Sequence, residues 1–246
     1  MNERVTLFGC NMDNVSMEKT LEIVEGFVRS GRPHQHVVVN VDKLVKASRD
    51  EGLRRIINAC DLVNVDGMPV VWAARLLGKP LKERVAGIDL FEALMRRAAE
   101  RGWRVFLLGA RAEVVQAVAA TYAARYPGLV LAGVRDGYWH GGDEEAAIAP
   151  DSRQPRRPAV RGNLIAREGT VSGQVPGRDA GAVRDGGGGS FDVAAGRVKR
   201  APAWMQRSGL EWFHRFLQEP RRMFRRYFID DMVFLWLLVK EAARDR

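Results

Sequence analysis

Cysteine is scarce. Cys10 and Cys60 are the only two in 246 residues, too few for a disulfide framework, and their spacing fits no metal motif. They suit a reducing cytoplasm. Long apolar runs are also absent. MVFLWLLV at 232–239 falls far short of the roughly 20 residues that a spanning helix needs. The opening MNERVTLFGC lacks the basic start and long apolar stretch of a secretory leader, so none is expected. No G-x-G-x-x-G or Walker phosphate loop occurs. The four histidines (His34, His36, His140, His214) have no metal-ligand spacing and are expected to be solvated or capping. Asp230-Asp231 sits in an Arg-rich, apolar tail and reads as a helix-surface pair. No metal and no cofactor is expected.

What is present is a foldable chain with uneven charge. Its 46% hydrophobic content supports a packed core and argues against wholesale disorder. The net charge is +9. Residues 197–226 hold nine Lys/Arg against two Glu, and residues 150–185 hold seven Arg against four acids. The first 149 residues are near neutral. Basicity confined to late segments points to an anionic partner: a membrane surface, a pyrophosphate or nucleic acid.

Up to residue 149, strand and helix patterns alternate. RVTLFG, HVVVNV, DLVNV, WRVFLLGA and LVLAGV read as strands. SMEKTLEIVEGFVRSG reads as a helix with Ser16 as its cap and Met17, Leu21, Val24 and Val28 on one face. DKLVKASRD, PVVWAARLLG, GIDLFEALMRRAAERG and RAEVVQAVAATYAARY are further helices, with Pro69 in a first turn. Strands that are apolar throughout and separated by helices predict an α/β fold, a parallel sheet with helices on both faces. Ligands bind outside the carboxyl ends of such strands, which directs attention to Asn40, Asp66 and Gly109.

Residues 150–189 break the pattern. Apolar periodicity stops, and Arg, Gly and Pro take over. One reading is a disordered basic linker. The preferred reading is that residues 150–187 are out of frame. GC-rich codons for PAVRGNLIAREGTVSGQVPGRD, shifted by one base, spell a buried strand, a loop and an amphipathic helix. That is what the alternation was due to supply. Frame would return in the glycine codons near Gly186–Gly189.

Several residues then compete for chemistry. Asp66 ends a buried strand, where a carboxylate can act as a general base, or simply turn the chain before Gly67. Arg84 is a phosphate or carboxylate clamp, or a surface arginine. Gly109 at a strand–helix junction would let a phosphate approach backbone N–H groups, but a lone glycine is weak evidence. Near the C-terminus, Arg215, Arg222 and Arg226 are seven and four apart, hence on one helical face, with Arg225 nearby. Trp212, Phe213, Phe216, Phe224, Tyr227 and Phe228 surround them. The mixture suits a membrane interface, nucleic acid, or a charged helix packed by its apolar side.

DLVNVDGMPVVWAARLLGKPLKERVAGIDL, WRVFLLGA and GGSFDVAAGRVKRAPAWMQRSGLEWFHRFLQEPRR together resemble the WecG/TagA/CpsF family of bacterial glycosyltransferases. The resemblance covers 1–149 and 186–246. It implies a Rossmann-like domain over 1–196 and a helical, membrane-binding C-terminal appendage over 197–246. It implies an inverting enzyme moving N-acetylmannosamine, its uronic acid or glucose from a UDP-sugar donor to an undecaprenyl-diphosphate-linked sugar acceptor in cell-surface polysaccharide synthesis. The protein would sit peripherally on an anionic membrane surface, at the inner face of the cell membrane. Neither nucleic acid nor metal is implied, and a homo-oligomer is left open. Carried over by position, Asp66 matches the base and Arg84 a substrate-contacting arginine. Arg215, Arg222 and Arg225 match arginines that bind the lipid diphosphate or the leaving UDP. Asn40 matches the asparagine of a T-x-N element whose threonine is Val38 here. A strand and a loop with a substrate-contacting glutamine are missing from 150–185 as written, which leaves a catalytically dead relative as the alternative. A nucleic-acid-binding protein is the remaining rival.

Overall fold

The computed structural model describes residues 3–137, 163–167, 170–173, 189–196, 200–207, 210–218 and 231–244. In chain order the first elements are β1 (Arg4–Leu7), β2 (Cys10–Asp13), α1 (Met17–Ser30), β3 (Gln35–Val39), α2 (Val41–Arg49), α3 (Glu51–Ala59), β4 (Leu62–Val65) and α4 (Met68–Leu76). Next come α5 (Gly87–Arg101), β5 (Arg104–Leu108), α6 (Ala112–Arg125), β6 (Val130–Arg135), β7 (Asn163–Arg167) and β8 (Thr170–Gly173). Then follow α7 (Gly189–Ala194), α8 (Ala203–Arg207), α9 (Glu211–Gln218) and α10 (Asp231–Arg244). They fall into two compact units. The first comprises Met1–Met17, Val37–Ala86 and Lys199–Arg246, and the second Glu18–His36 and Gly87–Val198.

In the first unit, β1 and β2 form an antiparallel hairpin with Leu7 opposite Cys10. Phe8 and Gly9 turn it with φ of 52° and 78°, the left-handed pair that matches strand twist in a two-residue loop. Val5, Leu7, Cys10 and Met12 are buried by alternation. The hairpin's second strand was not expected: CNMD is short and half polar. It holds because the buried Asp13 carboxylate accepts the Val63 N–H at 2.8 Å and Arg4 Nε at 3.2 Å. β4 is buried along its whole length and lies beside β3. A helix that the pattern did not predict, α3, follows α2 after Asp50 alone. Asp50 ends α2, and its carboxylate accepts the Leu53 N–H at 3.0 Å to start α3. One face of α10 closes this core. Phe234 meets Phe8 edge-on with centroids 5.3 Å apart, and Val233, Leu237 and Leu238 pack on the same cluster.

In the second unit the strand order is β8-β7-β5-β6. β5 is parallel to β6, as the alternation predicts, and also to β7, a strand that the sequence as written did not lead one to expect. β7 and β8 are antiparallel, because two intervening residues cannot make a parallel crossover. The fold is therefore mixed α/β. Both short strands lie inside the stretch that breaks the sequence pattern. α5 buries Ile88, Leu90, Phe91, Leu94, Met95 and Ala98 at helical spacing. Phe91 contacts Tyr122 of α6 and the fully buried Phe191 of α7, at centroid distances of 5.2 and 5.5 Å. Phe191 thus explains the aromatic residue in GGSFD. His36 is buried in β3, against the expectation of solvated histidines, while His34 stacks on Phe27 at 4.2 Å. Among the described residues no helix is long and apolar enough to cross a membrane.

Candidate functional site

Two backbone hydrogen bonds bring three of the predicted residues together. The Asp66 N–H donates to the Val39 carbonyl at 2.8 Å, and the Val85 N–H donates to the Val65 carbonyl at 2.8 Å. Asn40 follows Val39, Asp66 follows Val65, and Arg84 precedes Val85. Asp66 thus makes one of these bonds itself, and residues 40 and 84 each stand next to a bonded residue, where β3 and β4 end.

Local sequence explains the arrangement. Asn40 caps α2 by accepting the Lys43 N–H on Oδ1 at 3.0 Å. That bond commits the amide oxygen and leaves the Nδ2 donors as the part of Asn40 suited to a ligand. Lys43 is buried, with Nζ donating to the Val38 carbonyl at 2.9 Å. Val38 thus serves through its backbone at the position where a threonine would offer a hydroxyl. Asp66 is half-buried. The sharp turn after it is taken by Gly67 at φ +108°, a conformation that L side chains rarely adopt. α4 starts next with Pro69 in its first turn and no side-chain cap. Since Gly67 makes the turn, Asp66 is not needed for it.

Arg84 is held on both sides. Asn14 Oδ1 accepts the Lys82 N–H at 2.7 Å, Glu83 accepts the Met17 N–H at 2.9 Å, and Val85 is fixed to β4. The Arg84 side chain is only 15% exposed, which excludes an ordinary surface arginine. Its Nη1 lies 3.4 Å from Glu211 Oε2 at the start of α9. Glu211 Oε1 lies 3.6 Å from Arg200 Nε. Neither Glu211 nor Arg200 stood out in the sequence. The available signal was Glu211 itself, one of only two acids in the strongly basic 197–226 segment.

The other predicted residues fall elsewhere. Gly109 follows β5 in the second unit at φ +136°, and Ala110 comes next at φ +54°. The turn is braced from behind: Gly109 N–H donates to Arg135 O at 3.0 Å and Gly137 N–H to Ala110 O at 2.9 Å. A Cβ on Gly137 would stand 3.1 Å from Gly109 Cα, closer than most Cβ contacts, so a larger residue there would push on the turn. Arg111, the cap of α6, makes no side-chain capping bond. Arg215 lies within α9. Arg222, Arg225 and Arg226 lie outside the described residues.

α10 carries a feature that the sequence concealed. Met232, Leu235, Trp236 and Val239 are 53–69% exposed on the face opposite Phe234. On α4, Trp72 and Leu76 are also exposed, at 45% and 78%.

Comparison with known proteins identifies the family. The family described as "Glycosyl transferase WecG/TagA/CpsF family" matches residues 5–156 and 178–246. The unmatched residues 157–177 lie inside the irregular stretch and contain β7 and β8. Two relatives are each named N-acetylglucosaminyldiphosphoundecaprenol N-acetyl-beta-D-mannosaminyltransferase. That of Bacillus subtilis (strain 168) is 32% identical over 185 residues, 75% of this chain and 71% of its own. That of Bacillus spizizenii (strain ATCC 23059 / NRRL B-14472 / W23) is 33% identical over 195 residues, 76% of this chain and 72% of its own. On this extent of agreement, the chain belongs to the WecG/TagA/CpsF family of glycosyl transferases.

Proposed function

We propose that the protein is an inverting hexosyltransferase that moves a sugar of the N-acetylmannosamine class from a UDP-sugar to an undecaprenyl-diphosphate-linked acceptor in cell-surface polysaccharide synthesis. The observation that carries this reading is the juxtaposition of Asn40, Asp66 and Arg84 at the ends of β3 and β4. The relatives' names supply the sugar and the lipid-linked acceptor. N-acetylmannosaminuronic acid and glucose remain within the same class of chemistry.

In the proposed reaction an acceptor hydroxyl oxygen attacks the anomeric carbon from the face opposite UDP. The new C–O bond forms as the bond to the diphosphate breaks. Asp66 takes the hydroxyl proton, and UDP departs with the bonding electrons. Arg84 offsets the diphosphate charge, joined by Arg215, Arg222 and Arg225 from the appendage at 197–246. Asn40 hydrogen-bonds a substrate through Nδ2, and the Gly109 turn of the Rossmann-like 1–196 domain admits a phosphate to backbone N–H groups. The protein attaches peripherally to the inner membrane face. Support comes from the basic 197–226 segment and from the exposed apolar stripe of α10.

The test is Asp66→Asn in the full chain. Removing a general base costs on the order of 10²–10⁴ in rate. Transfer is therefore expected to fall at least that far while calorimetric UDP affinity stays within about threefold of the parent. Unchanged turnover would remove Asp66 from the role of base. A second reading rests on the unmatched 157–177: the chain as written is a frame-damaged, inactive relative. Restoring the shifted frame over 150–187 and comparing turnover with the parent separates the two readings.

A further inference from the structure

α4 has a face that the core does not use. Val70, Val71, Ala73 and Ala74 are buried, whereas Trp72, Arg75 and Leu76 are exposed, with Lys79 next at the same helical spacing. Tryptophan and leucine set outward beside cations make an interfacial face rather than a solvated one. From Gly67 to Lys82 the chain carries three cations, Arg75, Lys79 and Lys82, and no acid. Such a face repels a second copy of itself and suits an anionic surface. α10 resembles it in kind. Both helices cover the same apolar cluster, and Lys79 Nζ lies 3.9 Å from Glu241 Oε1 of α10. Lys240 Nζ stands 5.1 Å from the centroid of the exposed Trp236 ring, so a cation again accompanies an outward tryptophan. The place of α4 gives its face a consequence, because the helix begins two residues after Asp66. Two steps of about 3.5 Å and four helical steps of about 1.5 Å put Trp72 at most about 13 Å from Asp66 along the chain. A head-group layer is roughly 5–8 Å deep. With Trp72 in that layer, Asp66 stays within reach of a sugar carried on a lipid diphosphate.

We infer that the Trp72/Leu76 face of α4 docks on an anionic lipid surface and so holds Asp66 at the level of a lipid-linked acceptor. Attachment itself stays with the basic 197–226 segment and α10, and α4 orients the attached protein. The consequence for transfer rests on the glycosyltransferase reading above, whereas the lipid contact does not.

The experiment uses the full chain. Trp72→Cys carries a nitrobenzoxadiazole label, and Val130→Cys, exposed on β6 of the second unit, carries the same label as a reference. Cys10 and Cys60 are buried, so the label goes to the introduced thiol. Vesicles of phosphatidylcholine and phosphatidylglycerol contain doxyl-labelled lipid. The label at 72 should shift to the blue and be quenched, and the label at 130 should do neither. Quenching absent at 72, or equal at both positions, overturns the inference. A blue shift at 72 that grows with protein concentration and needs no vesicles would assign the face to a second copy, and the inference falls. Trp72→Ser/Leu76→Ser then tests the orienting role. Taking two apolar side chains out of a lipid contact predicts a fall of about tenfold or more in kcat/KM for an undecaprenyl-diphosphate N-acetylglucosamine acceptor held in vesicles. With a water-soluble short-chain acceptor, kcat/KM should stay within about twofold of the parent, a split that damage to the site does not give. An equal fall on both acceptors, or no fall on the vesicle acceptor, ends the orienting role. Quenching at 72 in a chain whose parent transfers no sugar to either acceptor would remove the functional reading and leave the lipid contact standing.

Discussion

Cys10 and Cys60 show at the residue scale how burial alone sets chemistry. Both thiols are buried in the first unit. Burial pushes each from an ordinary value of 9.0 up to about 11, with Arg54 opposing the shift at Cys10 and Asp61 adding to it at Cys60. A raised folded value means that the native state keeps a proton which the unfolded chain gives up. The stabilisation is whole below pH 9.0 and is lost as pH rises toward about 11. At about 1.4 kcal/mol per pKa unit, each thiol accounts for roughly 2–3 kcal/mol at most. The urea midpoint should fall between pH 8.5 and 10.5 by more in the parent than in a Cys10→Ala/Cys60→Ala variant. Equal falls would mean that other groups carry the alkaline transition. The thiols should also resist Ellman's reagent at pH 8 until the chain unfolds, since the thiolate is the reactive form.

At the scale of elements, one buried carboxylate ties the hairpin to β4, beside the bonds of Asn58 to Asn11 N–H and Gly9 O. Asp13 joins β2 to β4 through the Val63 N–H and to Arg4. Asp13→Ala leaves that buried N–H without a partner, at a cost of about 1–3 kcal/mol. Arg4 is 35% exposed, so water takes up much of its lost pairing. The urea midpoint should drop with the m-value unchanged. Thr6→Ala, which removes the exposed 2.7 Å bond to Asn11, should move it by less than about 0.5 kcal/mol. A null result for Asp13→Ala would show that the hairpin is held by its apolar face and the Asn58 bonds without the carboxylate. The elements that the sequence concealed share one cause. β2 has no apolar alternation strong enough to read, and its pairing depends on a turn and a distant N–H. α3 hides behind α2 because Asp50 ends one helix and begins the next, leaving no loop as punctuation. The elements carrying Asn40, Asp66 and Arg84 were legible because buried strands and following helices set them.

For the molecule as a whole, periodicity found the strand ends, but only tertiary hydrogen bonds bring residues 40, 66 and 84 together, and only folding carries Glu211 to Arg84. The same limit hid α10. MVFLWLLV is apolar all round, so no pattern separates the face that packs on Phe8 from the face that does not. This distinction decides how the proposed membrane attachment must be tested. Deleting the chain from Gly209 onward would remove Phe234 and Glu241, which accepts the Phe8 N–H at 3.3 Å, and would damage the first unit's core. Release from membranes would then report misfolding as readily as a lost anchor. Leu235→Ser/Trp236→Ser changes only the outward face, where these side chains are 53% and 59% exposed. Burying a large apolar side chain contributes roughly 1.5–3 kcal/mol, so the double variant should lose at least about tenfold in partitioning to anionic vesicles. Its melting temperature should stay near the parent's, because the Phe234 face is intact. Raising the salt should weaken both proteins, through the screened basic segment. Parent-like sedimentation of the double variant would place the anchor in the basic 197–226 segment and leave the α10 stripe to some other contact.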